Sequence, residues 1–332
     1  MTMVFSARTV ARRLFMILSP RSLGYARHAL ASLLRNVSEP IHLHLVTDTN
    51  SDKQLLLDEI ARNPSASSHS CDVFSETDLD DRESTMLGGY PNLRLFRDGH
   101  PCWRKITDPL LLSGEDDEIV ILDPDLYFPN RFCFEATPDK GLLLMWQKPS
   151  CLLPSAIVDT ALRRRIALAH HVDIGVAHWR SRVDLDWLEW LLSQLGIGDQ
   201  PNARFSMHVE AIVWAAIAMR IGGGHLSPDD WHCWHRSQRV RLLRKMRVPG
   251  PQLLRHEPFA TIKCFHAGGE AKYWLEDAIK REWLGAEKVL DQPGTVLPFV
   301  ELTAGTYRRD QTVKSWLRRF GYYTLFPSGA VH

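Results

Sequence analysis

The first half of the chain alternates short aliphatic runs with amphipathic stretches, and that alternation narrows the fold more than any other feature. Residues 14–19 (LFMILS) lead into an amphipathic stretch over 25–34, then 41–48 (IHLHLVTD), DKQLLLDEIARN and the short CDVF. Strands separated by helical segments are joined by crossovers, which implies a parallel sheet covered by helices. An α/β fold with a mainly parallel mixed sheet, Rossmann-like and flanked by helices, is therefore expected. Within IHLHLVTD, His42 and His44 alternate with Ile41, Leu43 and Leu45, so both read as solvent-facing strand positions rather than ligands.

The second half continues with GLLLMWQ, a helical stretch near 155–170, the strand HVDIGVAHW over 171–179, and the helical segments VDLDWLEWLLSQLG and HVEAIVWAAIAMR. Trp187, Trp190 and Trp214 fall at helical core spacing and read as packing residues. The chain shows no internal repeat and no low-complexity tract.

Composition sets outer bounds. At 332 residues and 45% hydrophobic the chain can bury a substantial core. Forty basic residues against thirty-nine acidic leave a net charge of +1, so global charge points to no nucleic-acid partner, and any electrostatic specialisation is local. The six cysteines are scattered without a C-x-x-C pair, which fits a reducing compartment and a cytoplasmic location. The apolar run at 14–18 follows basic residues but is too short for a signal-peptide core, and it reads as the first strand. No segment approaches the roughly 18 uninterrupted apolar residues of a spanning helix, so membrane contact is expected to be peripheral only.

Two segments can carry chemistry. In EIVILDPDLYF, residues 118–128, an aliphatic run suited to a buried strand ends in Asp123 and Asp125, separated by one proline. One reading is an ordinary turn. The other is a metal site, since parallel sheets bind ligands beyond the carboxyl ends of their strands and two carboxylates there can lean toward one hard cation. Far downstream, CFHAGGEAKYW (264–274) offers the imidazole of His266, the close-approach glycines Gly268 and Gly269, and Lys272 with Trp274. His266 can complete an O,O,N metal set, and Gly269 and Lys272 can receive phosphate oxygens. The ordinary reading of this stretch is a glycine turn before the helix YWLEDAIKREW.

Together, D-x-D closing a strand and H-x-x-G-x-x-K-x-W near the domain's end resemble the family-8 glycosyltransferases, of the glycogenin and lipopolysaccharide galactosyltransferase type. The resemblance spans about residues 14–290 and implies a GT-A-like fold in one catalytic domain, residues 10–290, followed by a basic, aromatic extension over 291–332. It implies metal ligands at Asp123, Asp125 and His266 and donor contacts at Gly268, Gly269 and Lys272, with Mn2+ or Mg2+ as the ion. LSPRSLGYARHALASLL resembles the family's first strand and nucleotide-contacting turn, placing Ser19 and Tyr25 among the donor contacts. Lys105 resembles its donor-binding lysine, with Arg104 beside it as a competing assignment.

Two departures matter. The family's N-S-G-V is here Asp173, Ile174, Gly175, Val176, and its later D-Q motif has no clean match, with Glu210 standing where an acid is expected. Transfer from a nucleotide sugar needs cations to stabilise the departing diphosphate and carboxylates near an anomeric carbon of oxocarbenium character. Asp173 and Glu210 are the candidate catalytic carboxylates.

HLSPDDWHCWHR holds His225, His232, Cys233 and His235, residues with zinc-ligand chemistry but not the spacing of a zinc knuckle. The stretch HRSQRVRLLRKMRVPG interleaves Arg236, Arg239, Arg241, Arg244, Lys245 and Arg247 with aliphatic residues, and VKSWLRRFGYYTLF repeats the theme. Each reads either as a solvated face or as a contact for an anionic membrane surface. The expected function is metal-dependent transfer from a nucleotide sugar, a UDP-sugar above all, to a glycan or glycolipid acceptor, with the retention of configuration that the resemblance implies. The alternative is a non-catalytic nucleotide-sugar-binding or scaffold protein of the same fold.

Overall fold

A computed structural model describes residues 11–63, 67–180, 183–197, 207–234, 238–284 and 288–325. Its strands, in chain order, are β1 (Arg12–Ile17), β2 (Ile41–Thr47), β3 (Ser70–Ser75), β4 (Glu118–Leu122), β5 (Leu126–Tyr127), β6 (Arg131–Phe132) and β7 (Leu142–Trp146). There follow β8 (Val172–Arg180), β9 (Gly223–Leu226), β10 (Trp231–Cys233), β11 (Cys264–His266), β12 (Val289–Leu290) and β13 (Val296–Pro298).

Eight strands form the main sheet in the order β13-β9-β7-β8-β4-β1-β2-β3. The block β4-β1-β2-β3 is parallel throughout, with helices Leu23–Asn36 and Asn50–Ala61 as the first two crossovers. Strand β8 is antiparallel to both β4 and β7, which makes the sheet mixed. This is the α/β architecture that the alternating pattern implies, and it agrees with the GT-A-like expectation.

Helices cover both faces of the central strands, which is why residues 14–17 of β1 and 119–122 of β4 are continuously apolar rather than alternating. Leu14, Met16, Leu43, Leu45, Val120 and Leu122 pack on one side with Leu30, Leu33 and Leu34 of the first crossover helix. Phe15, Val46, Ile119 and Ile121 pack on the other side with Phe96, Trp103, Trp179 and Trp214. Such two-sided burial at the central strands pushes the cleft to their ends, whereas His42 and Asp72 toward the β3 edge keep partly exposed side chains.

Three local expectations are corrected or qualified. His44 is buried rather than solvent-facing, because a helix-covered face puts it between Phe15, at 4.7 Å, and Phe74, at 6.0 Å. His42 is half-buried beside Asp72. Trp214 is a core residue and Trp187 packs against the core, whereas Trp190 is 48% exposed. Helix Leu185–Leu195 turns Leu188, Leu191, Leu192 and Leu195 inward, and Trp190 lies off that stripe. In the span expected to be an extension, β13 adds an antiparallel edge strand to β9, and Leu302 and Tyr307 are buried in the core.

A smaller sheet, β10-β11-β5, does the positioning. Its central strand β11 runs antiparallel to β5, with His266 opposite Leu126, so residues about 140 apart in sequence meet at the end of β4.

Candidate active site

Strand β4 buries Ile119 to Leu122, and the chain leaves the sheet at Asp123-Pro124-Asp125. The Asp123 amide donates to the Gly175 carbonyl of β8 at 2.8 Å, and the Ala267 amide donates to the Asp125 carbonyl at 2.9 Å. Backbone bonds thus fix both aspartates before their side chains are considered.

His266 Nε2 lies 3.2 Å from Asp125 Oδ1 and 3.8 Å from Asp123 Oδ2. One nitrogen and one oxygen from each aspartate fall within 4.8 Å of one another, a spacing that could hold one cation. The other imidazole nitrogen, Nδ1, is 2.8 Å from Asp173 Oδ1, which also accepts from the Gly175 amide at 2.9 Å. Gly175 has to be glycine for this contact, because a Cβ there would stand 2.7 Å from His266 Nδ1.

Two lysines flank the carboxylates. Lys105 Nζ is buried, 2.6 Å from Asp123 Oδ1 and 3.0 Å from Glu210 Oε1. Arg104 is turned away to Asp108 at 2.8 Å and Asp48 at 3.2 Å, so the geometry separates the two competing positions. Lys272 Nζ reaches Asp125 Oδ2 at 3.4 Å and sits 4.6 Å from the ring centroid of Tyr25. The Tyr25 hydroxyl bonds Ser22 Oγ at 2.8 Å.

Burial works against every charge here, and the partners decide which charges survive. Burial pushes Asp123 up, with Asp125 adding to it and Lys105 opposing. Burial also acts on Asp125, but His266 and Lys272 outweigh it and hold that carboxyl below the usual range. Against the same penalty, Asp173 and Asp125 hold His266 well above an ordinary imidazole, and Asp123 and Glu210 hold Lys105 well above an ordinary amine. Burial pushes Glu210 up to about 8.

A cleft of about 640 Å³ opens over these groups. Asp123, Asp125, Asp173, His266, Gly268, Gly269 and Lys272 all line it. Gly269 has φ +66°, a left-handed conformation that favours glycine, so the turn presents its backbone to the cleft. Among the described residues the lining includes neither Ser19 nor Tyr25, although Tyr25 backs Lys272. Glu210 and Lys105 stand behind the wall: Glu210 is fully buried, with Trp214 Nε1 donating to it at 3.2 Å.

Gln147, Cys151 and His208, which no sequence motif singles out, also line the cleft, as do Trp234 and, from the basic run, Arg241. Gln147 follows directly on β7, and the rule that sites lie beyond strand ends could have found it. The residues of the zinc reading separate: His225 is 3.1 Å from the His170 carbonyl, His232 is 2.8 Å from Glu257, and His235 lies outside the described residues. Cys233 instead stands with Asp173 and His266.

No protein-family model matches the chain, and no curated protein matches it in sequence. Among solved structures it is similar to mouse xyloside xylosyltransferase 1, at 14% identity over 79% of this chain and 99% of that one, with a TM-score of 0.49. It is also similar to the glycosyltransferase GlyE of Streptococcus pneumoniae TIGR4, at 11% identity and a TM-score of 0.45, over 82% of this chain and 63% of GlyE. A third similar structure is the galactosyltransferase LgtC in complex with donor and acceptor sugar analogs, at 9% identity and a TM-score of 0.42, over 81% and 95% of the two chains. Likenesses this distant leave the chemistry to be argued from the site itself.

Proposed function

We propose that the chain is a metal-dependent glycosyltransferase of family-8 type, taking a sugar from a nucleotide sugar, a UDP-sugar, and passing it with retention to a glycan or glycolipid acceptor. The observation that carries this reading is the convergence of Asp123, Asp125 and His266 on one wall of a cleft whose next wall is Gly268, Gly269 and Lys272.

The donor set suits a hard or borderline divalent ion such as Mn2+ or Mg2+: two carboxylate oxygens and one imidazole nitrogen, with the second imidazole nitrogen steadied by a carboxylate. Such an ion would supply charge neutralisation for a diphosphate leaving group. Lys272 adds a cation on the same side, and the left-handed turn at Gly269 offers room for phosphate oxygens. Lys105 balances Asp123 and Glu210 from behind, opposing the burial that pushes both carboxyls up.

A second reading, a nucleotide-sugar-binding protein without transfer, is favoured by one observation. Glu210 is fully buried and Asp173 is engaged by His266, so both candidate carboxylates already have structural partners. A panel of UDP-, GDP- and dTDP-sugars separates the readings. Manganese-dependent thermal stabilisation with slow donor hydrolysis supports the transferase, stabilisation without turnover supports the binding protein, and no stabilisation by any sugar nucleotide overturns both.

The acceptor side includes peripheral contact with an anionic membrane. Trp316 and Phe320 are 57% and 68% exposed on and just past the basic helix Ala304–Arg319, and Arg241 of helix Gln238–Lys245 lies over the Tyr322 ring at 5.5 Å. No helix among the described residues is long and apolar enough to cross a membrane.

A further inference from the structure

At the other end of the parallel strands, away from the cleft, three side chains on one sheet face are arranged as a ligand set. His42 and His44 are two apart on β2 and therefore share a face. Asp72 on β3 is directly opposite His44 in the strand register. His42 Nε2 is 2.8 Å from Asp72 Oδ2, His44 Nδ1 is 3.9 Å from the same oxygen, and the three ligand atoms lie within 4.8 Å of one another. Metal bonds of about 2.0–2.2 Å in a tetrahedral site separate neighbouring ligand atoms by on the order of 3.3 Å, so these distances bracket what one zinc-sized ion needs.

A second, independent observation points to a ligand. His44 is only 5% exposed, and its Nδ1, turned toward Asp72, is a buried atom with no hydrogen-bond partner among the described residues. A buried polar atom without a partner carries a desolvation penalty, which coordination would remove. The ring is locked by Phe15 on one side and Phe74 on the other, so the nitrogen is held in place.

Arg13 is the opposing charge and has to be weighed. It stands opposite His42 on β1, and its Nε is 3.5 Å from His44 Nε2, at the outer limit of a hydrogen bond. Its guanidinium is committed elsewhere, to the Asp117 carboxylate and to the Leu112 carbonyl at 2.7 Å, so its charge is already paired. An ion on Nδ1 leaves the proton on Nε2, on the Arg13 side, and that weak contact is what binding would displace.

We propose that His42, His44 and Asp72 form a second divalent-cation site, of zinc type, separate from the carboxylate cleft. Two imidazoles and one carboxylate are the donors zinc takes, and Asp72, 53% exposed at its side chain, leaves a solvent-facing fourth position. A site of this kind ties β2 to β3, so its ion would stabilise the sheet edge rather than take part in transfer.

The test uses the full-length protein, stripped with chelator, desalted, and titrated with zinc ion or with Co2+ as a coloured probe. The wild type should take up one more equivalent of zinc than the double variant His42→Ala/Asp72→Asn, and Asp125→Asn in the cleft should keep that equivalent. The Co2+ visible bands should persist in Asp125→Asn and vanish from the double variant. Donor hydrolysis with manganese should be unchanged in the double variant, which sets this result apart from failure of the transferase reading. Should the double variant fold poorly, Asp72→Asn alone applies the same test at a solvent-exposed side chain. Equal zinc stoichiometry and an equal zinc-induced rise in Tm in wild type and variant overturn the proposal.

Discussion

His266 stands between two carboxylates that ask different things of it. Asp125 faces Nε2, the nitrogen available to a cation, while Asp173 faces Nδ1 and fixes the tautomer. In a metal site that second carboxylate is a positioning group, and losing such a group costs 10–100-fold in metal affinity. Asp173→Asn should therefore weaken manganese-dependent stabilisation by about that factor while leaving the fold intact. If Asp173 were instead the group that meets the anomeric carbon, turnover would collapse with metal affinity unchanged. Lys272→Ala should lower turnover on the order of 100-fold and weaken donor binding much less, because its contact strengthens as charge develops on the leaving group. Equal turnover in wild type and variant would remove Lys272 from the reaction.

At the scale of elements, the basic helix Gln238–Lys245 divides its residues between two surfaces. Arg241 lines the cleft and Arg244 contacts Glu270 at 3.4 Å and the Trp274 ring at 5.3 Å, so neither is simply a solvated charge. Leu242 and Met246, 52% and 67% exposed, form the apolar side. The cleaner membrane probe is the C-terminal helix and its cap, where the Trp316 and Phe320 rings lie tilted at 5.5 Å and stay exposed beside Arg318 and Arg319. Trp316→Ser/Phe320→Ser should lower binding to anionic liposomes at least severalfold without changing hydrolysis of a soluble donor, and the residual binding should fall with salt. Unchanged liposome binding in that variant would mean the aromatic pair serves something other than a lipid surface. Arg241 shows where the sequence was silent: an interleaved basic run looks the same whether one arginine turns inward or all face solvent. The D-P-D turn was legible because an aliphatic run cannot end in two carboxylates without a strand end to hold them. His266 is legible as a candidate donor from its chemistry, and the resemblance pairs it with the aspartates, but nothing local in CFHAGG says that β11 pairs with β5.

Across the whole molecule, the sheet's layering was legible and its histidines were not. Alternation announces crossovers, but a parallel sheet buried on both faces hides which strand residues see water, and His44 was misread for that reason. Three histidines, His44, His178 and His225, are 5%, 0% and 2% exposed. Burial pushes their pKa values down to about 4, 3 and 4. In the unfolded chain each takes a proton below about 6.5, and in the folded chain none does until pH 3–4. The unfolded state therefore binds more protons across the window from about 6.5 down to about 4, so stability is full above it and falls as pH drops through it. By pH 5 each contributes a loss of roughly 1–2 kcal/mol, a large share of the stability of an ordinary domain. Thermal melts in chelator, which keeps His44 free of metal, should show Tm dropping by several degrees between pH 7 and pH 5. His178→Phe should recover about a third of that drop, because His178 is fully buried and enclosed by Phe134 and Trp231, at 5.6 and 5.8 Å. A Tm that is flat over this range would mean that these histidines accept protons without unfolding, and the buried face of the sheet would then have to be far more open to water than its packing implies.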